Sequence, residues 1–296
     1  MKKIILFVMV LFSMNLMAQE NKALLIIAHG SPSADWNRPV LDLENQISDS
    51  LKEKGINEIK MVKVAFIESA HPSVAQVISE MEKQGITMVY ALPLFISLSG
   101  HSVFDVPALL GLYYTREEEQ ALQMEKSEIV NTNLKITLGP TLSYQNVMKD
   151  ILLDRVKAMS VDPANEALVL LAHGSEDFNP VWNNLLQETG NYILGKTGIL
   201  YFDHAFVEAG QSFTIDGMPV ILKASEMKKR VLVLGVYVSM GVKKMAENSG
   251  LIIMGHTLEA KKMLEGKAIS FADQGLLPDR RINQWIVDRA TEWINR

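Results

Sequence analysis

Predominantly apolar runs alternate along the chain with segments of helical periodicity. Four such runs occupy residues 23–28, 61–67, 88–96 and, more briefly, 134–138. Between them, residues 39–54 and 74–83 carry apolar side chains three or four positions apart, which is typical of amphipathic helices. Buried strands separated by helices in this rhythm predict βαβ units, and therefore a parallel sheet with right-handed crossovers.

The second half of the chain repeats the pattern of the first. The phrase Ala28-His29-Gly30-Ser31, which ends the first apolar run, returns as Ala172-His173-Gly174-Ser175. Glu208 and Ser239 then follow later apolar runs much as Glu68 and Ser97 do, at nearly the same separation along the chain. Duplication of one α/β unit is the economical explanation. We place the first copy in residues 20–159 and the second in residues 160–296.

The segment before the first copy has the layout of a secretory signal peptide. Lys2 and Lys3 precede an apolar run at residues 4–12, and Ala18 stands just before polar residues 19–22. The alternatives are an uncleaved membrane anchor, although the run is too short to span a bilayer comfortably, and a buried amino-terminal strand. We therefore expect removal of residues 1–18 or 1–19, which would leave a periplasmic protein without a stable membrane span.

Composition narrows the possible partners and metal ligands. The 296 residues, 48% of them hydrophobic, are enough for two domains with a substantial core. A net charge of −5 argues against nucleic acid as a partner, since phosphate binding normally needs a basic face. Because the chain has no cysteine, a transition metal would be held by His, Asp, Glu or Met. Such donors favour Co, Ni, Fe or Zn on imidazole.

Ionisable side chains follow three successive strands of the first copy. His29, Glu68 and His101 each stand at the carboxyl end of a predicted strand, one βα unit apart. These ends share one edge of an open parallel sheet, which is where such sheets bind ligands. Two imidazoles and one carboxylate form a plausible site for a divalent ion with open coordination positions, and the same groups could accept protons.

The second copy lacks part of this set. It keeps His173 and Glu208, but Val242 and Lys243 stand where the first copy has Gly100-His101. We therefore expect the metal site in the first copy and a degenerate counterpart in the second.

Each residue also has an ordinary structural interpretation, and two enzyme classes lack their motifs. His29 could be a loop residue bonded to backbone, Glu68 a helix cap, and His101 a packing partner of Phe104. Gly30-Ser31 has no Gly-x-Ser-x-Gly elbow, which argues against a serine hydrolase. A histidine phosphotransferase would usually present Arg-His-Gly, but Ala28 precedes His29.

These motifs resemble the sirohydrochlorin cobaltochelatases and related class II tetrapyrrole chelatases. The matching stretches are Ala28-His29-Gly30-Ser31, Ala65-Phe66-Ile67-Glu68 with Pro72-Ser73, and Gly100-His101 with Asp105-Val106-Pro107. The resemblance is strongest over residues 23–111 and weaker over residues 167–243. It implies two similar lobes, each a four-stranded parallel sheet flanked by helices, facing each other across a cleft that holds the tetrapyrrole. It also implies that His29, Glu68 and His101 form the metal-binding and catalytic set.

The activity implied by the resemblance is insertion of a divalent ion into a tetrapyrrole such as sirohydrochlorin. Co²⁺ is the first expectation, but Fe²⁺, Ni²⁺ and Zn²⁺ also accept this ligand set. We expect Ser31, Ser97 and Ser99 to face the cleft and meet the carboxylates of the ring. The alternative is a non-catalytic periplasmic protein that binds a metal ion, haem or another tetrapyrrole and delivers it to a transport system.

Overall fold

Two four-stranded parallel sheets form the framework of the computed structural model, which describes residues 20–125, 127–144, 146–208, 210, 212–248, 250–253 and 256–296. The predicted signal peptide lies outside these residues. The first sheet contains β1 (Lys22–Ala28), β2 (Ile59–Phe66), β3 (Met88–Pro93) and β4 (Lys135–Leu138). The strand order is β2-β1-β3-β4, and every neighbouring pair is parallel.

The second sheet repeats this topology. It contains β5 (Glu166–Ala172), β6 (Tyr201–Phe206), β7 (Arg230–Val236) and β10 (Ile269–Phe271). Between β7 and β10 the chain forms a separate antiparallel hairpin of β8 (Gly250–Ile253) and β9 (His256–Glu259). The order β6-β5-β7-β10 places each strand where its counterpart lies in the first sheet. The predicted α/β fold of two similar four-stranded lobes is therefore confirmed.

Helices cover both faces of the first sheet. In chain order they are α1 (Ala34–Leu41), α2 (Leu43–Glu53), α3 (Val74–Lys83), a π-helical turn (His101–Asp105), α4 (Val106–Leu109), α5 (Arg116–Met124), a 3₁₀ turn (Leu142–Tyr144) and α6 (Val147–Met159). The predicted helix 39–54 is thus two helices that meet at Asp42, and the first begins five residues earlier than predicted. Pro39 lies inside α1, where it supplies no backbone N–H for helix hydrogen bonding.

The second lobe has fewer long helices but the same alternation. It contains 3₁₀ turns at Pro163–Asn165 and Glu176–Phe178, α7 (Asn179–Thr197), a π-helical turn (Phe213–Gly217), α8 (Met218–Met227), α9 (Lys243–Asn248), α10 (Ala260–Leu264) and α11 (Arg280–Ile294). Within the described ranges, no helix is both long and apolar enough to cross a membrane.

The alternating side chains of the central strands divide the interior into three apolar cores. Leu24 and Ile26 of β1 lie in one core together with Leu168 and Leu170 of β5, so this central core is continuous between the lobes. The opposite faces of β1 and β5 pack into two separate outer cores, one for each lobe. The lobes therefore share their largest apolar cluster, which fixes them relative to each other.

Two helices are exchanged between the lobes: each follows a strand of one lobe in the sequence but packs on the other lobe. Helix α6 follows β4 but contacts β7 and α7, and Arg155 donates to the carbonyls of Gln274 and Leu276 at 2.7 and 3.2 Å. Helix α11 follows β10 but contacts α2 and β3, where Trp293 stacks on Tyr90 at a centroid distance of 5.5 Å. The predicted division at residues 159 and 160 separates the two sheets, whereas α6 and α11 pack across it. The extent of each domain as a folding unit stays a prediction.

Candidate functional site

A cleft of about 530 Å³ lies between the two lobes, at the carboxyl ends of the central strands. Both lobes supply its walls, which include the loops after β1, β3, β5 and β7. The ionisable side chains among its lining residues are His29, Glu68, His101, Asp105, His173 and Tyr237. All three residues of the predicted metal set therefore reach one cavity.

Contacts between the lobes hold the two walls in place. The Trp182 indole N–H donates to the carbonyl of Leu98 at 2.9 Å, which ties α7 to the loop that leads to His101. A second hydrogen bond between the lobes joins the loop after β7 to α1, where the Ser239 hydroxyl donates to the carbonyl of Trp36 at 2.7 Å. The relative position of the lobes at the cleft is thus fixed by hydrogen bonds as well as by the shared core.

The turn after β1 brings His29 and Glu68 together. The Glu68 N–H donates to the His29 carbonyl at 3.1 Å, which continues the β1–β2 pairing beyond the strands. Gly30 follows with φ of +96°, and a Cβ at this position would lie 2.0 Å from the Glu68 carbonyl oxygen. Only glycine allows the two loops to approach this closely.

Both imidazoles of the first lobe have one nitrogen committed to a neighbour. Nδ1 of His29 lies 2.8 Å from the Gly30 carbonyl oxygen, and Nδ1 of His101 lies 2.6 Å from Oδ2 of Asp105. A carbonyl or carboxylate accepts, so Nδ1 carries the proton in each ring. In the neutral rings, Nε2 is consequently the bare nitrogen that can bind a metal ion.

These two bare nitrogens face each other. His29 Nε2 and His101 Nε2 are 3.2 Å apart, and Oε1 of Glu68 lies 3.4 Å from His29 Nε2. Two neutral acceptors at this distance need a proton or a metal ion between them. Donor atoms about 2.1 Å from one ion are about 3.0 Å apart at right angles and about 3.4 Å apart in a tetrahedron, so the observed spacing suits adjacent ligands of one ion.

The arrangement is open. Among the residues with described positions, no three His, Asp or Glu side chains enclose a ready-made ion position. Glu68 reaches the pair from the side of His29, and Asp105 holds His101 from behind. An open site suits an ion that must be released again.

The surroundings move the pKa values of the two histidines in opposite directions. Burial lowers the pKa of His29, and the nearby imidazoles of His101 and His173 lower it further. Burial also acts to lower the pKa of His101, but the hydrogen bond and negative charge of Asp105 outweigh it, so that this pKa is raised. At neutral pH, His29 is therefore the better metal ligand and His101 the better holder of a proton.

A third imidazole enters the cleft from the second lobe. Nδ1 of His173 lies 2.9 Å from the Gly174 carbonyl oxygen, as in His29, and its ring centroid is 6.5 Å from that of His29. The other second-lobe counterparts of the predicted metal site do not enter the cleft as ligands. Glu208 is not among the cleft-lining side chains, and Lys243, at the position of His101, pairs with Asp273 at 3.1 Å.

The three predicted serines all line the cleft but have different partners. Ser31 Oγ accepts from the Ser33 N–H at 3.1 Å, and Ser99 Oγ lies 3.5 Å from Ser102 Oγ. Ser97 is fully buried, and its hydroxyl has no hydrogen-bond partner within the described part of the chain. Ser97 therefore carries a buried hydroxyl whose hydrogen bonding is unsatisfied, whereas Ser31 is partly exposed to the cleft.

Sequence reasoning gave no role to several residues of the cleft. Asp105 is one, although its spacing of four residues from His101 is a signal that could have linked the two. Trp36 of α1 and Trp182 of α7 form part of the apolar wall of the cleft, and nothing in the local sequence pattern indicates this role. The other described imidazoles lie elsewhere: His71 contacts Gln76, and His204 contacts Asn183. The side chain of His256 lies outside the described part of the structure.

The known proteins to which this chain is similar are sirohydrochlorin chelatases. Residues 23–159 match the family model CbiX. A sirohydrochlorin cobaltochelatase of Methanococcoides burtonii is 24% identical over 136 residues, which cover 46% of this chain and 95% of that protein. A sirohydrochlorin ferrochelatase of Priestia megaterium is 22% identical over 217 residues, which cover 73% of this chain and 71% of that protein.

The fold of the whole chain also occurs in a solved chelatase structure. SirB from Bacillus subtilis with Fe³⁺ superposes with a TM-score of 0.60 at 14% identity, covering 92% of this chain and 95% of that one. The resemblance to the sirohydrochlorin cobaltochelatase family is therefore confirmed, through the CbiX match of the first lobe and the two-lobe fold of the whole chain.

Proposed function

We propose that this protein is a metal chelatase that inserts a divalent ion into a tetrapyrrole of the sirohydrochlorin type. The observation that carries the proposal is the pair of bare Nε2 atoms of His29 and His101, 3.2 Å apart in the cleft, with a carboxylate oxygen of Glu68 beside them. The names of the relatives, which include both cobaltochelatases and a ferrochelatase, support the same chemistry.

The reaction requires exchange of protons for a metal ion. The ion sheds its water ligands and its bond to His101 as it forms four bonds to ring nitrogens, while two pyrrole N–H groups release their protons and no oxidation state changes. In the proposed mechanism His29 and His101 hold the incoming ion through Nε2, and Glu68 completes the coordination or relays a proton. Once the ion has left, the Nε2 of His101 accepts a pyrrole proton, because the Asp105 carboxylate stabilises the imidazolium.

Imidazole and carboxylate ligands suit a transient holding site. They bind Co²⁺, Fe²⁺, Ni²⁺ and Zn²⁺ without the strong preference that thiolates would impose. We propose Co²⁺ as the first ion to test and Fe²⁺ as the second, since the names of the relatives include both metals.

Recognition of the ring combines apolar walls with few polar groups. Trp36, Phe95 and Trp182 line the cleft and offer flat surfaces to a conjugated macrocycle. We propose that Ser31, Ser97 and Ser99 meet polar substituents of the ring. Ser31 is the most accessible of the three, whereas Ser97 is fully buried behind the cleft surface.

The test is a direct insertion assay. Purified protein is mixed anaerobically with sirohydrochlorin and Co²⁺ or Fe²⁺, and the absorption spectrum of the ring is followed against the uncatalysed reaction. We expect acceleration that is abolished in His29→Ala and His101→Ala but retained in His204→Ala, whose imidazole bonds Asn183 away from the cleft. Tight binding of the ring without acceleration would contradict the enzyme function.

That contradicting result would favour the second candidate, a protein that binds a metal ion, haem or another tetrapyrrole and passes it to a transport system. The pairing of a binding cleft with the signal-like segment of residues 1–19 is the observation behind it. The same segment leads us to propose a periplasmic location. Cell fractionation, with Edman sequencing of the mature protein beginning near Gln19 or Glu20, tests that location.

A further inference from the structure

His173 has the same local geometry as the metal-site histidine that it faces. Its Nδ1 is committed to the carbonyl of the next glycine, as in His29, so its Nε2 is also the bare nitrogen of a neutral ring. Around it, the second lobe has lost the features that would form a separate metal site, because Lys243 replaces the second histidine and pairs with Asp273. His173 is therefore the second-lobe imidazole in a cleft whose other imidazoles come from the first lobe.

The ring-centroid distances from His29 to His101 and to His173 correspond to two different arrangements of imidazoles around one ion. A metal-bound imidazole with a bond of about 2.1 Å has its ring centroid about 3.2 Å from the ion. Two imidazoles at right angles on one ion then have centroids about 4.5 Å apart, and two on opposite sides about 6.4 Å apart. The observed centroid distances are 4.6 Å for His29 and His101, and 6.5 Å for His29 and His173.

We propose that His173 is the receiving axial ligand: it coordinates the inserted ion from the face of the tetrapyrrole opposite to His29. The proposal rests on the proposed chelatase function. The ring lies between the two lobes, with His29 and His101 on the delivery face and His173 on the other. As the ion moves into the ring, its bond to His101 breaks and a bond to Nε2 of His173 forms.

This role accounts for the asymmetry between the copies. A delivery face needs two imidazoles and a carboxylate to strip a hydrated ion, whereas a receiving face needs one lone pair at the correct distance. The first lobe keeps the full set, and the second keeps the single imidazole that faces it.

The test supplies the product already metallated, so that it does not depend on catalysis of insertion. Co(II)-sirohydrochlorin is added anaerobically to the full protein, and the electron paramagnetic resonance spectrum is recorded. Each axial nitrogen splits the low-spin Co(II) signal, so that one axial imidazole gives triplets and two equivalent imidazoles give quintets. We expect quintets for the unmodified protein, and triplets for both His173→Ala and His173→Gln.

His204→Ala is the matched control, because it removes a second-lobe imidazole outside the cleft and should leave the quintets unchanged. Circular dichroism establishes that each variant is folded. Quintets that persist in folded His173→Ala, or triplets in the unmodified protein, would overturn the proposal. The insertion assay is read separately: failed acceleration with quintets present would overturn the chelatase function and leave the axial role of His173 intact.

Discussion

The hydrogen bond between His101 and Asp105 defines the chemistry of one half of the proposed metal-binding pair, His29 and His101. It fixes the proton on Nδ1 and directs the bare Nε2 toward His29, and its carboxylate raises the pKa of the ring despite burial. Partners of this kind orient metal-binding histidines and increase their basicity. In the proposed site, Asp105 is therefore a positioning residue that would act on the ion through His101.

Asp105→Asn should weaken the metal site without unfolding the protein. The side chain is one-third exposed and its amide is similar in size, but it no longer holds His101 in one tautomer. We expect Co²⁺ affinity to fall by roughly 10- to 100-fold, the usual cost of losing such a partner. Isothermal titration calorimetry measures the change. Asp273→Asn, which removes the partner of Lys243, is the control and should bind Co²⁺ normally.

Metal binding should also depend on pH with a defined sign. Protons compete with the ion for Nε2, and the pKa of His101 is raised above its ordinary value of 6.5 while that of His29 is lowered. Co²⁺ affinity should therefore fall as the pH decreases through the raised pKa of His101, before His29 is protonated. In Asp105→Asn the midpoint should move to lower pH. Calorimetric titrations between roughly pH 5 and 8 cover the transition, and an unshifted midpoint would contradict the assignment.

At the scale of elements, the turn after β1 determines how closely the loops of two strands approach. Gly30 has positive φ, and its missing Cβ leaves room for the backbone carbonyl of Glu68. The side chain of Glu68 is the carboxylate of the proposed site. Gly55 also has positive φ at +69°, but no atom lies within 4 Å of where its Cβ would be. Substitution at Gly55 would therefore introduce backbone strain alone, whereas substitution at Gly30 would introduce both backbone strain and a steric clash.

Gly30→Ala should damage both stability and the site, and Gly55→Ala only stability. Left-handed backbone costs an alanine about 1–2 kcal/mol, and the clash at Gly30 adds about 1–3 kcal/mol. We expect urea denaturation to show a loss of about 1–2 kcal/mol for Gly55→Ala and about 2–5 kcal/mol for Gly30→Ala. Below their unfolding transitions, only Gly30→Ala should lose Co²⁺ affinity, because it displaces the Glu68 loop. Equal affinities in the two variants would refute this account.

The sequence predicted elements well where the signal was local. Apolar runs identified the central strands, and the spacing of Val74, Val77, Ile78 and Met81 predicted α3 with its observed ends. The third strand ends at Pro93, three residues earlier than predicted, because Leu94, Phe95 and Ile96 are buried in a loop. Apolarity reports burial, and only sometimes a strand.

The candidate site was predictable in part for the same reason. Topology alone puts the ends of parallel strands on one edge, which is enough to bring His29, Glu68 and His101 together. The approach of His173 to within 6.5 Å of His29 depends instead on how the two lobes pack, and no local pattern encodes that. The exchange of α6 and α11 between lobes was unpredictable on the same physical grounds.

At the scale of the whole molecule, α6 and α11, the helices exchanged between the lobes, make the stability of each lobe depend on the other. Trp293 of α11 is only 9% exposed and stacks on Tyr90 of the first sheet. The central core runs through both sheets without interruption. Loss of α11 contacts at the end of the chain should therefore be felt in strands near its beginning.

Trp293→Ala should destabilise both lobes together. Truncation of a buried tryptophan costs about 3–5 kcal/mol, and the shared core transmits the loss. Hydrogen exchange should show reduced protection in β3 and β7 alike. Leu200→Ala, at a position that is 75% exposed, is the control and should change stability by less than about 0.5 kcal/mol. Reduced protection in β3 alone, the strand that Trp293 contacts, would contradict coupled folding.

The contact between the first strand and the last helix has a consequence for how the chain can be connected. The Lys22 ammonium lies 5.7 Å above the Trp293 ring, so β1 begins beside the end of α11. A short linker from residue 296 to residue 20, with new ends opened at residues 160–165, would give a circular permutant that keeps the contact between β1 and α11. In that permutant α11 would precede β1 and α6 would be the last helix. The order of the two copies would be reversed, and the cleft would be unchanged.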